Sequence, residues 1–190
     1  TVTRTDFNNA PRQGLNALFA GQGDFDIPTN YGVGVSWRPT SKLMIAADVT
    51  KIKFSEVPAV GNSSRTAAPL CNCLGDENGP GFGWRDVTVK KLGLEYQATR
   101  NLLLRAGYNK GDNPVTEENV TFNILAPGVV TKHYTLGATY RLSEATEISG
   151  HYMRAPTVRV RGESALPLPG LRESIDMEQE SLSVSVGFNY

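Results

Sequence analysis

Apolar and polar residues alternate along this chain with a period of two. In Tyr31–Arg38 the odd positions are Tyr31, Val33, Val35 and Trp37, and the even ones are Gly32, Gly34, Ser36 and Arg38. Side chains on an extended strand point to alternate faces, so one face of this segment is apolar and the other small or polar. Leu102, Leu104, Ala106 and Tyr108 are set off in the same way against Arg105 and Gly107. Tyr134, Leu136, Ala138, Tyr140 and Leu142 are set off against His133, Thr135, Gly137, Thr139 and Arg141. The last segment is the most regular, with Leu182, Val184, Val186, Phe188 and Tyr190 alternating with serines, Gly187 and Asn189. The pattern predicts strands near 28–38, 43–56, 84–97, 102–110, 131–142, 146–160 and 177–190, with a remnant of another at 1–7. Ile52 and Phe54, and again Val87 and Val89, fall out of phase with the rest of their segments, which predicts a β-bulge in each. The 146–160 segment is the weakest.

The connections alternate in length. Short turns are expected at Pro39–Lys42, Ala98–Asn101 and Leu142–Glu144, and long loops at 57–83, 111–130 and 161–176. Aromatic residues fall near strand ends, among them Tyr31, Trp37, Trp84, Tyr96, Tyr108, Tyr134, Tyr140 and Phe188. Together these features predict an all-β, antiparallel up-and-down transmembrane barrel, with tight turns on the periplasmic side, long loops outside and aromatic girdles at the interfaces. A soluble β-sandwich also alternates. The small, Ser/Thr/Gly-rich polar face and the aromatic end of the chain argue against it.

Composition narrows the function. The 19 basic and 19 acidic side chains give no net charge, and no basic stripe points to nucleic acid. No run of 18 apolar residues suggests a membrane helix, which leaves a barrel open because barrel strands are apolar only at alternate positions. The chain begins at Thr1 and reads as a fragment or a processed piece. Cys71 and Cys73 sit in a Gly/Pro/Ser-rich stretch without the further ligands a zinc site needs, and they read as loop cysteines. Gly79–Gly83 lacks the Lys-Ser/Thr of a phosphate loop. His133 and His151 are the only histidines, and no nucleophile with an orienting acid accompanies them. No catalytic residue, metal or cofactor is therefore expected. Asp48, Glu95, Arg105, His133, Arg141 and Glu147 fall on the polar face. Charges enclosed in a barrel are costly unless paired or wet, so a cross-strand network is expected.

Several motifs, taken in order, resemble one family. They are Trp84-Arg85-Asp86, Leu92-Gly93-Leu94-Glu95-Tyr96, Leu104-Arg105-Ala106-Gly107-Tyr108, Ala126-Pro127 with His133, Leu136-Gly137-Ala138, Tyr140-Arg141-Leu142 and the closing Gly187-Phe188-Asn189-Tyr190. Over about residues 26 to 190 the chain resembles the FadL/TodX-type outer-membrane transporters of long-chain fatty acids and hydrocarbons. The resemblance implies a fourteen-stranded barrel plugged by an N-terminal hatch. Residues 1–190 would supply strands eight to fourteen, the C-terminal part of one barrel domain, with hatch and first strands absent. It further implies passive uptake of a hydrophobic ligand, contact with outer-membrane lipid, and handling by the barrel-assembly machinery through the C-terminal strand. Arg85 falls where the family places a basic residue near a ligand carboxylate, a partner that a planar guanidinium suits. Phe82 and Trp84 beside it could contact an acyl chain. A general porin, or a structural or adhesive barrel without transport, are the alternatives.

Overall fold

The computed structural model describes residues 26–65, 76–164 and 170–188. The expected strand remnant at 1–7, Cys71, Cys73 and the terminal Asn189 and Tyr190 lie outside the described residues. Seven strands follow one another: β1 (Asn30–Thr40), β2 (Leu43–Ile52), β3 (Val87–Gln97), β4 (Leu102–Gly111), β5 (Lys132–Arg141), β6 (Thr146–Glu163) and β7 (Arg172–Phe188). Each pairs antiparallel with the next, giving a single up-and-down sheet. Among the described residues β1 and β7 do not meet, so the sheet is open.

The three tight turns share one device. A hydroxyl at each turn accepts a backbone N–H two residues on: Thr40 Oγ1 from Lys42 at 3.3 Å, Thr99 Oγ1 from Asn101 at 3.2 Å and Ser143 Oγ from Ala145 at 3.2 Å. Such side-chain turns fix the register of a hairpin without a glycine.

Register then sets the faces. Val33 stands opposite Val49, Val35 opposite Ala47 and Trp37 opposite Ile45, and Ala47 and Ile45 stand opposite Leu92 and Leu94. The series continues through Ala106, Leu136 and Tyr152 and ends at Leu182, which is 78% exposed. A soluble monomer rarely exposes an apolar surface that runs unbroken across seven strands. Against hydrocarbon the same surface is buried, and each peptide group inside the sheet keeps its ladder partner.

Four expectations need correction. β2 and β3 pair without any register shift, so neither holds the expected bulge. Val87 and Val89 fall on the inner face at the long-loop end, where Val87 is buried, and loop packing explains their apolar character. The strand expected over 43–56 ends at Ile52, and Phe54–Glu56 form a 3-10 turn. The 146–160 segment, the weakest in sequence, is part of the longest strand, and β7 begins at Arg172 rather than near 177. Residues 161–163 and 172–176, expected as loop, are therefore strand.

The β1–β2 ladder shifts register next to its tight turn, between Trp37 and Thr40, and a second bulge lies within β6, where the register shifts between Ala155 and Val158. Two residues of β6, Pro156 and Thr157, face the single Glu178 of β7. Proline is tolerated here because β5 pairs with β6 only as far as Arg154, so no partner on that side needs its missing N–H. Above the bulge the faces change character. Val158, Val160, Ile175 and Met177 turn inward, and outside stand the Arg159–Asp176 ion pair and the Thr157–Glu178 hydrogen bond of 2.9 Å. The β6–β7 hairpin thus rises beyond the apolar band with a wet outer face.

The densest packing among the described residues sits on the inner side of this extension. Val115, Val120, Val129, Val160 and Ile175 form the cluster, with Trp84, Val158 and Met177 packed against it. The loop segments that supply it include the short helix α2 (Val120–Asn123), and a second short helix, α1 (Pro58–Gly61), is hydrogen-bonded to the segment that ends at Trp84. Gly162 allows the loop to approach, since a Cβ there would lie 1.7 Å from the Glu117 carbonyl oxygen. The long loops therefore fold inward as a cap over the mouth of the sheet.

Candidate functional site

Small residues hollow out the inner face. Gly93 faces Gly107, and Gly137 faces Arg105 and His151. With Met44, Ala46, Ser149 and Ser183 they line a trough of about 480 Å³. Glycine at strand centres weakens a ladder unless something must pass close to the backbone. Here it widens the interior.

The charges on this face pair across strands. Asp48 Oδ1 lies 3.3 Å from Lys91 Nζ, and the two residues stand directly opposite each other. Glu95 Oε2 accepts from Arg105 Nε at 3.0 Å, Arg105 Nη1 donates to Thr139 Oγ1 at 2.9 Å, and Thr139 and Ser149 share a hydrogen bond of 2.8 Å. The result is a polar chain across β3, β4, β5 and β6. Arg141 stands opposite Glu147 at the short-turn end. His133 stands opposite Asn109, and its Nδ1 is buried without a hydrogen-bond partner among the described residues. Lys91 was not among the expected lumen charges, although it shares inner parity with Glu95. Its role emerges only from the register that sets it against Asp48.

At the mouth, the segment Phe82–Trp84 is zipped to the loop around α1. Phe82, Gly83 and Trp84 donate backbone hydrogen bonds to the carbonyls of Ala59, Asn62 and Val60, at 3.3, 2.8 and 3.0 Å. Trp84 meets Phe54 edge-on at 4.9 Å, and Phe82 lies 5.4 Å from Phe122. Two buried asparagines tie the loops together. Asn119 Oδ1 accepts from the backbone N–H and the hydroxyl of Ser64 at 2.8 and 2.7 Å. Asn123 Nδ2 donates to the Phe82 carbonyl at 2.6 Å, and its Oδ1 accepts from the Trp84 indole. Sequence offered no signal for this latch, because asparagine in a loop reads as a turn former.

Arg85 is exposed. Its N–H donates to the Pro114 carbonyl at 3.0 Å, and its guanidinium takes part in no ion pair among the described residues. It lines a hollow of about 500 Å³ with Trp84, Thr116, Glu118 and Asn119. The structure thus brings Trp84 and Arg85 to one hollow, while Phe82 turns toward Phe122. Next along the chain, Asp86 is held by Lys53 and by Ser55, whose hydroxyl and N–H donate at 2.7 and 3.1 Å. The hydrogen bond from Lys53, followed by those from Ser55, holds the Asp86 carboxyl far below the usual carboxylate range. The same contact raises Lys53. Among the described residues no group of His, Cys, Asp and Glu is arranged to hold a metal ion.

The profile of the family described as outer membrane protein transport protein (OMPP1/FadL/TodX) matches residues 4–190. No curated protein matches the chain. Several solved structures share its fold. The toluene transporter TodX of Pseudomonas putida is 18% identical, with 88% of this chain and 36% of that one covered and a TM-score of 0.58. A FadL homologue of Pseudomonas aeruginosa is 16% identical, with coverage of 85% and 35% and a TM-score of 0.57. The toluene transporter TbuX of Ralstonia pickettii is 14% identical, with coverage of 87% and 34% and a TM-score of 0.52. The chain spans about a third of the length of these relatives.

Proposed function

Because this chain belongs to the outer-membrane transport protein family OMPP1/FadL/TodX, we propose that residues 1–190 form the C-terminal part of one barrel domain that admits hydrophobic molecules passively. The observation that carries the reading is the pairing of faces. An apolar outer surface runs across all seven strands, and behind it lies a trough floored by glycine and small residues. Ion pairing of enclosed charges suits any barrel, but glycine at strand centres weakens the ladder and favours a barrel that leaves room for a ligand over a purely structural one. The names of the solved relatives, two toluene transporters and a FadL homologue, support hydrocarbons or fatty acids as the ligand class. In this reading the barrel-assembly machinery engages the chain through β7, whose lower half has the most regular alternation.

For a ligand with a carboxylate, Arg85 is the proposed head-group partner. It is the cation of the hollow that Trp84 also lines, and it is free of an ion pair among the described residues. A charge-assisted pair sheltered from water strengthens binding by about tenfold or more. Asp48, Glu95, Arg105, His133, Arg141 and Glu147 are proposed to form the polar wall along which an apolar ligand slides without being held.

The test uses the full-length protein in cells that lack their own uptake protein. Uptake of a long-chain fatty acid and of a matched alkane should rise when it is present, with no gain for a sugar of similar mass. Arg85→Gln should weaken fatty-acid binding about tenfold and leave the alkane unchanged. Equal losses for both ligands, or none, remove Arg85 from the role. Equal gains for sugar and alkane replace hydrophobic transport with a general porin.

A further inference from the structure

We infer that the outer surface of the sheet carries a binding site for a phosphorylated lipid headgroup, built from Lys90, Lys110 and Lys132. This goes beyond the transport reading, since the site faces away from the trough. The three lysines lie on three adjacent strands in direct cross-strand register, Lys90 opposite Lys110 and Lys110 opposite Lys132. All three are exposed and share the parity of Leu92, Tyr108 and Tyr134, so they belong to the face that meets lipid. Lys51 flanks them on β2, two residues beyond Val49, which stands opposite Lys90.

Like charges set directly opposite one another destabilise a sheet. Elsewhere this sheet avoids them, because Asp48 meets Lys91, Glu95 meets Arg105 and Arg154 meets Glu180. None of the row's lysines forms an ion pair among the described residues. The carboxylate at their level, Asp112, accepts the Thr88 N–H at 3.0 Å. A row of exposed lysines with no ion pair among the described residues is a ready site for an anion.

The position of the row identifies the anion. It lies at the long-loop end, immediately beyond the Tyr108–Tyr134 ring pair, whose centroids are 5.2 Å apart. In barrels of this kind that end faces the cell exterior, and the aromatic girdle marks the headgroup level. From Lys132 to Leu142 the chain advances ten residues, about 33 Å along the strand, or about 25 Å in height at the usual barrel tilt. That is the height of the apolar band, so the ammonium groups emerge at the outer leaflet's headgroups. At a strand spacing of about 4.8 Å the outer two lysines stand about 10 Å apart, a span that suits a headgroup with two phosphates.

The test places the full-length protein in phosphatidylcholine nanodiscs and titrates in lipid A, a bis-phosphorylated glycolipid, with retained lipid counted by native mass spectrometry. Wild type should retain lipid A at least tenfold over phosphatidylcholine, with retention falling as salt rises. The triple variant Lys90→Gln/Lys110→Gln/Lys132→Gln should lose about a hundredfold, at about fivefold per lysine. The triple arginine variant should keep retention. Lys110→Gln alone should lose about fivefold, which provides a reading if the triple glutamine variant fails to fold. Equal retention by wild type and either glutamine variant overturns the proposal. So does full displacement of lipid A by millimolar inorganic phosphate, which would mean a free-anion site rather than a lipid site.

Discussion

Gly83→Ala should open the cap without unfolding the sheet. Gly83 has a φ of +68°, and a Cβ added there would lie 2.1 Å from Asn119 Cγ. The left-handed backbone alone costs a non-glycine residue about 1–2 kcal/mol. The methyl group also displaces the Asn119 side chain, which holds Ser64 and donates to Thr116 Oγ1 at 2.6 Å. Losing two or three partly buried hydrogen bonds, at about 1 kcal/mol each, brings the local cost to about 3–5 kcal/mol. Gly170 provides the control. Its φ is +77° and a Cβ there meets nothing within 4 Å, so Gly170→Ala carries the backbone cost alone. The assay is tryptic cleavage after Arg65 or Arg85 on intact cells that make the full-length protein. Cleavage that follows the open population should speed up by about a hundredfold or more in Gly83→Ala, and by only about 5- to 30-fold near Gly170 in Gly170→Ala. Heat-modifiable mobility on gels, a property of the barrel, should stay that of wild type. Unchanged cleavage in Gly83→Ala, or equal effects of the two variants, refutes the steric reasoning.

Face assignment predicts that Val186→Arg destabilises the barrel by about 2–4 kcal/mol if it lies near the bilayer midplane, whereas Ser185→Arg costs much less; a larger effect for Ser185→Arg in urea unfolding reverses the faces. Topology predicts that, with Cys71 and Cys73 replaced by serine, a cysteine at Asn62 reacts with an impermeant thiol reagent on whole cells and one at Thr99 does not; labelling of Thr99 alone inverts the barrel. Asp86 has a depressed folded-state pKa, so its contribution is complete above the usual carboxylate range and is lost as pH falls through and below about 4. Protection of the α1 loop from an acid-active protease should therefore decline with acidification in wild type and be flat and low in Asp86→Asn. A flat wild-type profile removes the Lys53–Asp86 contact from the anchoring of that loop.

How much of this was legible in sequence depended on what each strand faces. β1, β4, β5 and the lower half of β7 touch lipid on one side and small residues on the other, so their alternation is plain. The upper parts of β6 and β7 invert that code. Asp176, Glu178 and Glu180 look outward and Ile175 and Met177 inward, and of these Ile175 and Asp176 read as loop because lipid-facing apolar residues were expected. The out-of-phase Val87 and Val89 suggested bulges for the same reason, although they are simply inner-face residues under a cap. The parity of Asp48, Glu95 and Arg105 was readable, but their partners were not, since register alone decides that Lys91 meets Asp48. The Asn119–Asn123 latch depends on contacts between distant segments, Ser64 with Asn119 and Phe82 with Asn123, which no local pattern encodes.

The bulge of β6 also has a consequence for how this region can change length over evolution. Alternation couples the whole of a strand, so losing one residue ordinarily moves everything beyond it to the wrong face. Here Pro156 and Thr157 share one partner position, and the strand holds one residue more than its neighbour requires. Deleting either would set a single residue opposite Glu178 and leave Ala155 and Val158 both pointing inward. The membrane-spanning part below and the cap-bearing hairpin above are thus uncoupled in phase. A single-residue deletion that would scramble β4 or β5 can be absorbed at this joint, and the outer hairpin is free to shorten without disturbing the lipid-facing ladder beneath it.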